Sequence, residues 1–345
     1  MLSPSENDSR KRLHYYVHGR GRGHAARAQA VIEVLLKEGF SVSVFAGEDA
    51  FPMLSDRCEC NRVRSVMPSS NPRQFQLILS RTRSAVHHIR KEVADLVISD
   101  GDLPAILAAI WTRKPSIAMG HSEVFGRCAR PKDLPRLPWW KEAFVARLSA
   151  PTASAYVAVN FVPIEHRRAN VTLARPNLRS DIPKKRKVGD RILCYFRDEN
   201  GDNVLQSLLE LQQTPMLFSK HPEKHRAGVA VSPLGSKAFG EALSKAKAVV
   251  ASAGSQLLSE CVTMEIPLFA LYKENDSEQR LNVGMLRGYG LGDGCSFSNF
   301  NAQRLSAFLK KAKDPIRQST SPWEAPQVSE AIISTVNHLL HARVP

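Results

Sequence analysis

The stretch AKAVVASAGSQLLSE, residues 246–260, decides how the rest of the chain is read. Ala248-Val249-Val250-Ala251 is a compact apolar run with β-branched residues and a Ser/Gly break behind it, the pattern of a buried strand in a parallel sheet. Ser252-Ala253-Gly254-Ser255 supplies small residues that permit a sharp turn and let backbone approach a ligand closely. Gln256 to Val262 then continues as a helix, so the unit is strand, glycine turn, helix. The first N–H groups of such a helix have no intrahelical partner and carry partial positive charge, which suits a phosphate or diphosphate. Gly254, Ser255 and Gln256 are the residues expected at that anion, and Glu260 stands beyond them where a carboxylate accepts from a ribose diol. An ordinary βα unit with a solvated Glu has the same local pattern.

A second apolar run, Ile266 to Leu271, leads into Tyr272 to Asn282. A loop holding Asp276, Glu278 and Gln279 at the carboxyl end of the next strand offers acceptors and an amide, which suits a sugar with adjacent hydroxyls. The runs ASAGSQLLSE, IPLFAL and DSEQRLN together resemble the donor-binding half of GT-B glycosyltransferases. The resemblance is to the group that includes peptidoglycan lipid-intermediate glucosaminyltransferases and the UDP-glucuronosyltransferase superfamily. It implies an α/β fold of two Rossmann-like domains facing an interdomain cleft. It also implies that Gly254 and Ser255 face the diphosphate, Glu260 holds the ribose, and Asp276, Glu278 and Gln279 hold the donor sugar.

The amino-terminal half starts with the same kind of unit. Leu13 to Val17 reads as a strand, HGRGRGH follows as a glycine turn, and Ala25 to Lys37 has Ala28, Val31, Ile32 and Leu35 at helical spacing. The spacing of Gly19, Gly21 and Gly23 is not GxGxxG, and no acid ends the next strand, which argues against a dinucleotide cofactor. Enzymes of the resembled group carry a similar turn ending in Gly-His after their first strand, and there it faces the cleft. The resemblance therefore places His24 beside donor sugar and acceptor as the expected catalytic base, with Gly19, Gly21 and Gly23 as the cleft turn. His121, at the end of a predicted strand, is the second candidate. Asp100 and Asp102 are placed either to orient a histidine or to cap the following helix, and Lys220 sits at a strand edge within reach of a diphosphate.

The chain has 345 residues, 43% of them hydrophobic, which makes two domains the natural division. The expected boundaries are a disordered leader at 1–12, an acceptor-side domain at 13–175 and a linker at 176–190, followed by a nucleotide-sugar domain at 191–320 and a helix within 321–345 packing back across the junction. The formal net charge of +15 implies attraction to phosphorylated substrates, polyanions or anionic membrane surfaces. Aromatic residues are not interleaved with the basic runs, so no specific nucleic acid is expected. Of six cysteines only Cys58 and Cys60 are close in sequence, which argues against a structural metal site and fits reduced thiols in the cytoplasm. The amino terminus lacks an apolar signal-peptide core, and no run has spanning length, so membrane association is expected to be peripheral. Residues 126–151 combine basic residues with Leu137, Trp139, Trp140 and Phe144, and read as a lipid-headgroup surface, an acceptor lid or an ordinary packed helix.

The expected activity is transfer of a sugar from a nucleoside-diphosphate sugar, with UDP as the expected carrier, to an acceptor hydroxyl. The acceptor class left open includes lipid-linked and anionic molecules. Inversion follows from the resemblance. No metal or further cofactor is expected, because a helix amino terminus supplies positive potential to the leaving diphosphate. The DxD within Ser99-Asp100-Gly101-Asp102 lies in the half opposite the donor loops. Two alternatives stand beside this reading, a UDP-N-acetylglucosamine 2-epimerase-like isomerase and a non-catalytic basic polyanion-binding protein.

Overall fold

Each apolar run that opens a βα unit becomes a strand with both faces covered, as its lack of polar alternation requires. In the computed structural model, residues 10–341 are described apart from 20–21, 67–70, 167, 180, 184, 198–200, 224–227 and 313–322. Residues 1–9 of the expected leader and Gly21 of the expected cleft turn thus lie outside the described residues.

The first half builds a seven-stranded sheet in the order β3-β2-β1-β4-β5-β6-β7. Its strands are β1 (Arg12–Val17), β2 (Ser41–Ala46), β3 (Cys60–Arg62), β4 (Leu96–Asp100), β5 (Ser116–Gly120), β6 (Ala155–Val159) and β7 (Val171–Ala174). Its helices are α1 (Arg22–Lys37), α2 (Phe51–Ser55), α3 (Pro72–Lys91), α4 (Leu103–Thr112), α5 (Ser122–Arg127) and α6 (Arg136–Ser149). The leader gives way to β1 at Arg12, and β7 adds an edge strand at the end of the expected first domain, just ahead of the expected linker.

The second half builds a six-stranded sheet in the order β10-β9-β8-β11-β12-β13. It comprises β8 (Arg191–Tyr195), α7 (Asp202–Glu210), β9 (Thr214–Ser219), β10 (Ala230–Pro233), α8 (Ser236–Lys245), β11 (Ala248–Ser252), α9 (Ser255–Thr263), β12 (Leu268–Tyr272), α10 (Ser277–Gly288), β13 (Asp293–Ser296) and α11 (Ala302–Lys311). All strand pairs in both sheets are parallel.

Strand order reverses between β1 and β4 in one sheet and between β8 and β11 in the other, which opens a crevice beyond the carboxyl ends of those strands. The crevice is stitched on both sides. His18 N donates to Asp100 O at 3.0 Å, and Arg197 N donates to Ser252 Oγ at 3.1 Å. One apolar cluster runs through both halves, joining Phe125, Trp139 and Phe161 to Leu281 and Met285. The last helix, α12 (Val328–His341), leaves the second half and buries Val328, Ala331, Ile332 and Val336 against Leu13, Val31 and Leu35 of the first. The six cysteines are free thiols.

Candidate active site

Helix α1 starts at Arg22, three residues before the expected position, so His24 stands in its first turn rather than at a loop tip. The start is set by crowding behind it: a Cβ on Gly19 would lie 2.2 Å from Gly47 C, so only glycine lets β1 leave its sheet so close to the end of β2. Gly101 follows β4 with φ of +78°, and a Cβ there would press 3.3 Å from His24 Cε1. Between these turns His24 Nδ1 lies 2.7 Å from Asp100 Oδ1. Asp100 is the last residue of β4 and fully buried, whereas the His24 side chain is 30% exposed. With Nδ1 committed to the carboxylate, Nε2 is the ring nitrogen with no hydrogen-bond partner among the described residues.

A third group completes the arrangement. Arg27, one turn after His24 in GHAAR, donates from Nε to Asp100 Oδ2 at 2.9 Å and from Nη2 to Oδ1, and its Nη2 lies 3.1 Å from His24 Nδ1. Burial alone would raise the Asp100 carboxyl, but the Arg27 guanidinium and the His24 ring outweigh it and hold the carboxyl below its ordinary value. Asp100 is therefore an anion at neutral pH, fixed on both oxygens. The neighbouring Asp102 caps α4 by accepting from Ala105 N at 2.9 Å and pairs with Arg81 at 3.0 Å. Both carboxylates of the SDGD run are thus occupied by protein groups.

Across the crevice Gly254 is the N-cap of α9, with no side chain capping the helix. Gly254 is exposed, and the position a Cβ would take has no atom within 4 Å. The N–H groups of Ser255, Gln256 and Leu257 form the uncapped first turn. A Cβ on Gly23 would meet Gln256 Cβ at 3.5 Å, so the first turns of α1 and α9 confront one another across the boundary between the two sheets. Lys220 is exposed at the bend beyond β9, on the same carboxyl edge.

The expected roles of Glu260, His121, Asp276 and Gln279 are corrected. Glu260 is only 2% exposed: Arg179 donates from Nε to its Oε1 at 2.7 Å and from Nη2 to its Oε2 at 3.2 Å, and Gln256 Nε2 adds a bond at 2.9 Å. A carboxylate saturated in this way is not presented to a ribose; it ties α9 to the segment joining the halves. Removing it would leave a largely buried guanidinium with only the longer 3.5 Å contact to Asp181, so Glu260→Ala is expected to cost about 3 kcal/mol and lower the melting temperature by several degrees. An unchanged melt would show the pair to be incidental.

His121, the second catalytic candidate, is 5% exposed, with Nδ1 3.0 Å from Val159 O and Nε2 2.7 Å from Asn282 Oδ1. Both nitrogens are used, so it cannot act as a base toward a ligand. Asn282 Nδ2 in turn donates to Ala253 O at 3.0 Å, so His121 links the first half to the residue before the Gly254 corner.

Asp276, Glu278 and Gln279 do not share an open loop. Asp276 caps α10 by accepting from Gln279 N at 3.0 Å, Glu278 is half-buried in the first turn, and Gln279 is buried. Of the three, Glu278 lies within electrostatic reach of Arg27. It also faces Glu142 of α6, whose carboxyl burial pushes up to about 7, reinforced by the charges of Glu278 and Asp276.

Of the two roles open to Asp100 and Asp102, Asp100 orients a histidine and Asp102 caps a helix; Arg27 is the member of the arrangement that motif reading did not single out. Arg27 has a signal in its spacing of three from His24, one helical turn. Asp100 has its place at a strand end.

A family model described as glycosyl transferase family 1 matches residues 11–313, spanning both sheets. The chain belongs to that family. It is a GT-B glycosyltransferase, and membership sets aside the non-catalytic polyanion-binding alternative. Solved structures agree in fold. MurG from Acinetobacter baumannii is 17% identical over 95% of this chain and 99% of its own, with a TM-score of 0.63. A putative UDP-N-acetylglucosamine 2-epimerase from Listeria monocytogenes is 14% identical over 97% of each chain, with a TM-score of 0.70. The glycosyltransferase VinC, solved in complex with dTDP, is 15% identical over 96% of this chain and 100% of its own, with a TM-score of 0.62. No curated protein matches in sequence. No helix among the described residues of this glycosyltransferase is long and apolar enough to cross a membrane.

Proposed function

We propose that this glycosyltransferase takes its sugar from a nucleoside-diphosphate sugar and passes it to an acceptor hydroxyl with inversion, His24 acting as base. The observation that carries the reading is the 2.7 Å contact from Asp100 Oδ1 to His24 Nδ1 at a crevice whose opposite wall is the uncapped amino terminus of α9. Asp100 accepts the Nδ1 proton, which leaves Nε2 basic and stabilises the imidazolium formed when the acceptor proton arrives. The acceptor oxygen attacks the anomeric carbon, and the bond to the diphosphate breaks with its electron pair retained by the leaving group. The N–H groups of residues 255–257 meet that growing charge without reorganising. Gly254 leaves room for the diphosphate to approach, Lys220 stands on the same edge, and Glu278 is the carboxylate best placed for the donor sugar.

This scheme assigns charge neutralisation to α9 and requires no added divalent ion. The VinC complex supports a nucleoside diphosphate as the shared ligand class, and UDP is the expected carrier here. A panel of nucleotide sugars in thermal-shift assays, followed by product analysis with and without a chelator, tests it. Stabilisation by one nucleotide sugar and chelator-resistant transfer are expected. Loss of transfer in chelator would overturn the metal-independent scheme. Conversion of UDP-N-acetylglucosamine alone to its 2-epimer would overturn the transfer reading itself.

A further inference from the structure

Helix α6 has one face more apolar than its surroundings require. Its inner face is satisfied: Trp139, Ala143 and Ala146 are buried, and the Trp139 ring meets Phe125 edge to face at 5.2 Å. On the outer face Leu137 is 83% exposed, Trp140 62%, Phe144 64% and Leu148 45%. Positions 137, 140, 144 and 148 follow helical spacing, so these side chains form one continuous stripe. The remaining exposed residues of the helix are Arg136, Lys141 and Arg147, all cations. Its one acid, Glu142, is half-buried and turned toward Glu278 of α10.

We propose that α6 is a docking helix for an anionic lipid bilayer. The stripe matches what such a surface requires: aromatic and aliphatic side chains enter the headgroup and acyl boundary while Lys and Arg stay with the phosphates. The net charge of +15 adds long-range attraction of the same sign. Because α6 packs against α10, whose first turn carries Glu278, docking through α6 brings the α10 side of the molecule to the lipid surface. An acceptor with its apolar part in the bilayer would then present its hydroxyl without leaving the membrane. The inference does not depend on the role given to His24.

Sedimentation of the full-length protein with vesicles of phosphatidylcholine mixed with phosphatidylglycerol, compared with phosphatidylcholine alone, tests it. Binding is expected to the mixed vesicles and to weaken with salt. Each basic side chain near such a surface contributes about fivefold, so Lys141→Ala with Arg147→Ala is expected to weaken binding about thirtyfold. Trp140→Ala with Phe144→Ala is expected to weaken it about a hundredfold. Both variants alter exposed positions, and melts matching wild type verify that they fold. Should the aromatic variant melt lower, the charge variant still decides. Trp111→Ala, also exposed but at the far end of α4, is expected to bind as wild type. Equal binding to neutral vesicles, or loss of binding in Trp111→Ala with the α6 variants unaffected, would overturn the proposal. So would an oligomer that only the α6 variants dissociate, with vesicle binding unchanged.

Discussion

His24→Ala is expected to lower turnover by about two to four orders of magnitude and to leave nucleotide affinity near wild type. Among the described residues no hydrogen bond joins the ring to the α9 corner or to Lys220, so a donor diphosphate held there is expected to keep its contacts. What the variant removes is the nitrogen proposed to take the acceptor proton as the new glycosidic bond forms. The Asp100 and Arg27 pair is untouched, so the melting temperature is expected to change little. Single-turnover kinetics with saturating donor, alongside calorimetric titration of the nucleoside diphosphate, make the measurement. Near-normal turnover would remove His24 from the base role, and an equal loss in nucleotide affinity would recast it as a binding residue.

Asp100→Asn is expected to reduce turnover by as much as about ten-thousandfold, because an amide does not hold the histidine in the tautomer that leaves Nε2 basic. Unlike His24→Ala, it should also cost stability. Arg27 is buried with Asp100 as its only direct ion-pair partner among the described residues, and removing the negative charge leaves a buried guanidinium without that partner at a cost of about 3 kcal/mol. The pH dependence follows from the depressed carboxyl. Its contribution is complete above the unfolded aspartate value of about 3.9 and is lost as pH falls through the lower folded value. The variant is therefore expected to flatten the acid limb of the stability curve. Full activity in Asp100→Asn would show the 2.7 Å contact to be structural only.

The fold was readable because its decisive signals are local. Two runs of small and glycine residues, each behind an apolar strand and ahead of a helix, mark the ends of β1 and β11, and those ends carry His24 and Gly254. Short edge elements were harder: β7 has four residues between polar flanks, too few for a periodic signal. The site was only partly readable, and the failures share a cause. Asp100 meets His24 because β4 lies beside β1, a neighbour relation fixed by sheet order and spanning 76 positions of sequence. Glu260 has the right spacing for a ribose ligand, but its partner is Arg179, 81 positions away on a segment with no secondary-structure signal. His121 emerges from a strand end as His24 does, yet Asn282 and Val159 close around it. Spacing reports which way a side chain leaves the backbone; it does not report what arrives from the other half of the molecule.

The lodging of α12 among Leu13, Val31 and Leu35 bears on biosynthesis. When the first seven strands have left the ribosome, one wall of their apolar interior is still about 150 residues from being translated. That half emerges with an open flank that α12 must later cover. The nascent chain is therefore most exposed to misassociation in the interval between synthesis of β7 and emergence of α12, and chaperone dependence should concentrate there.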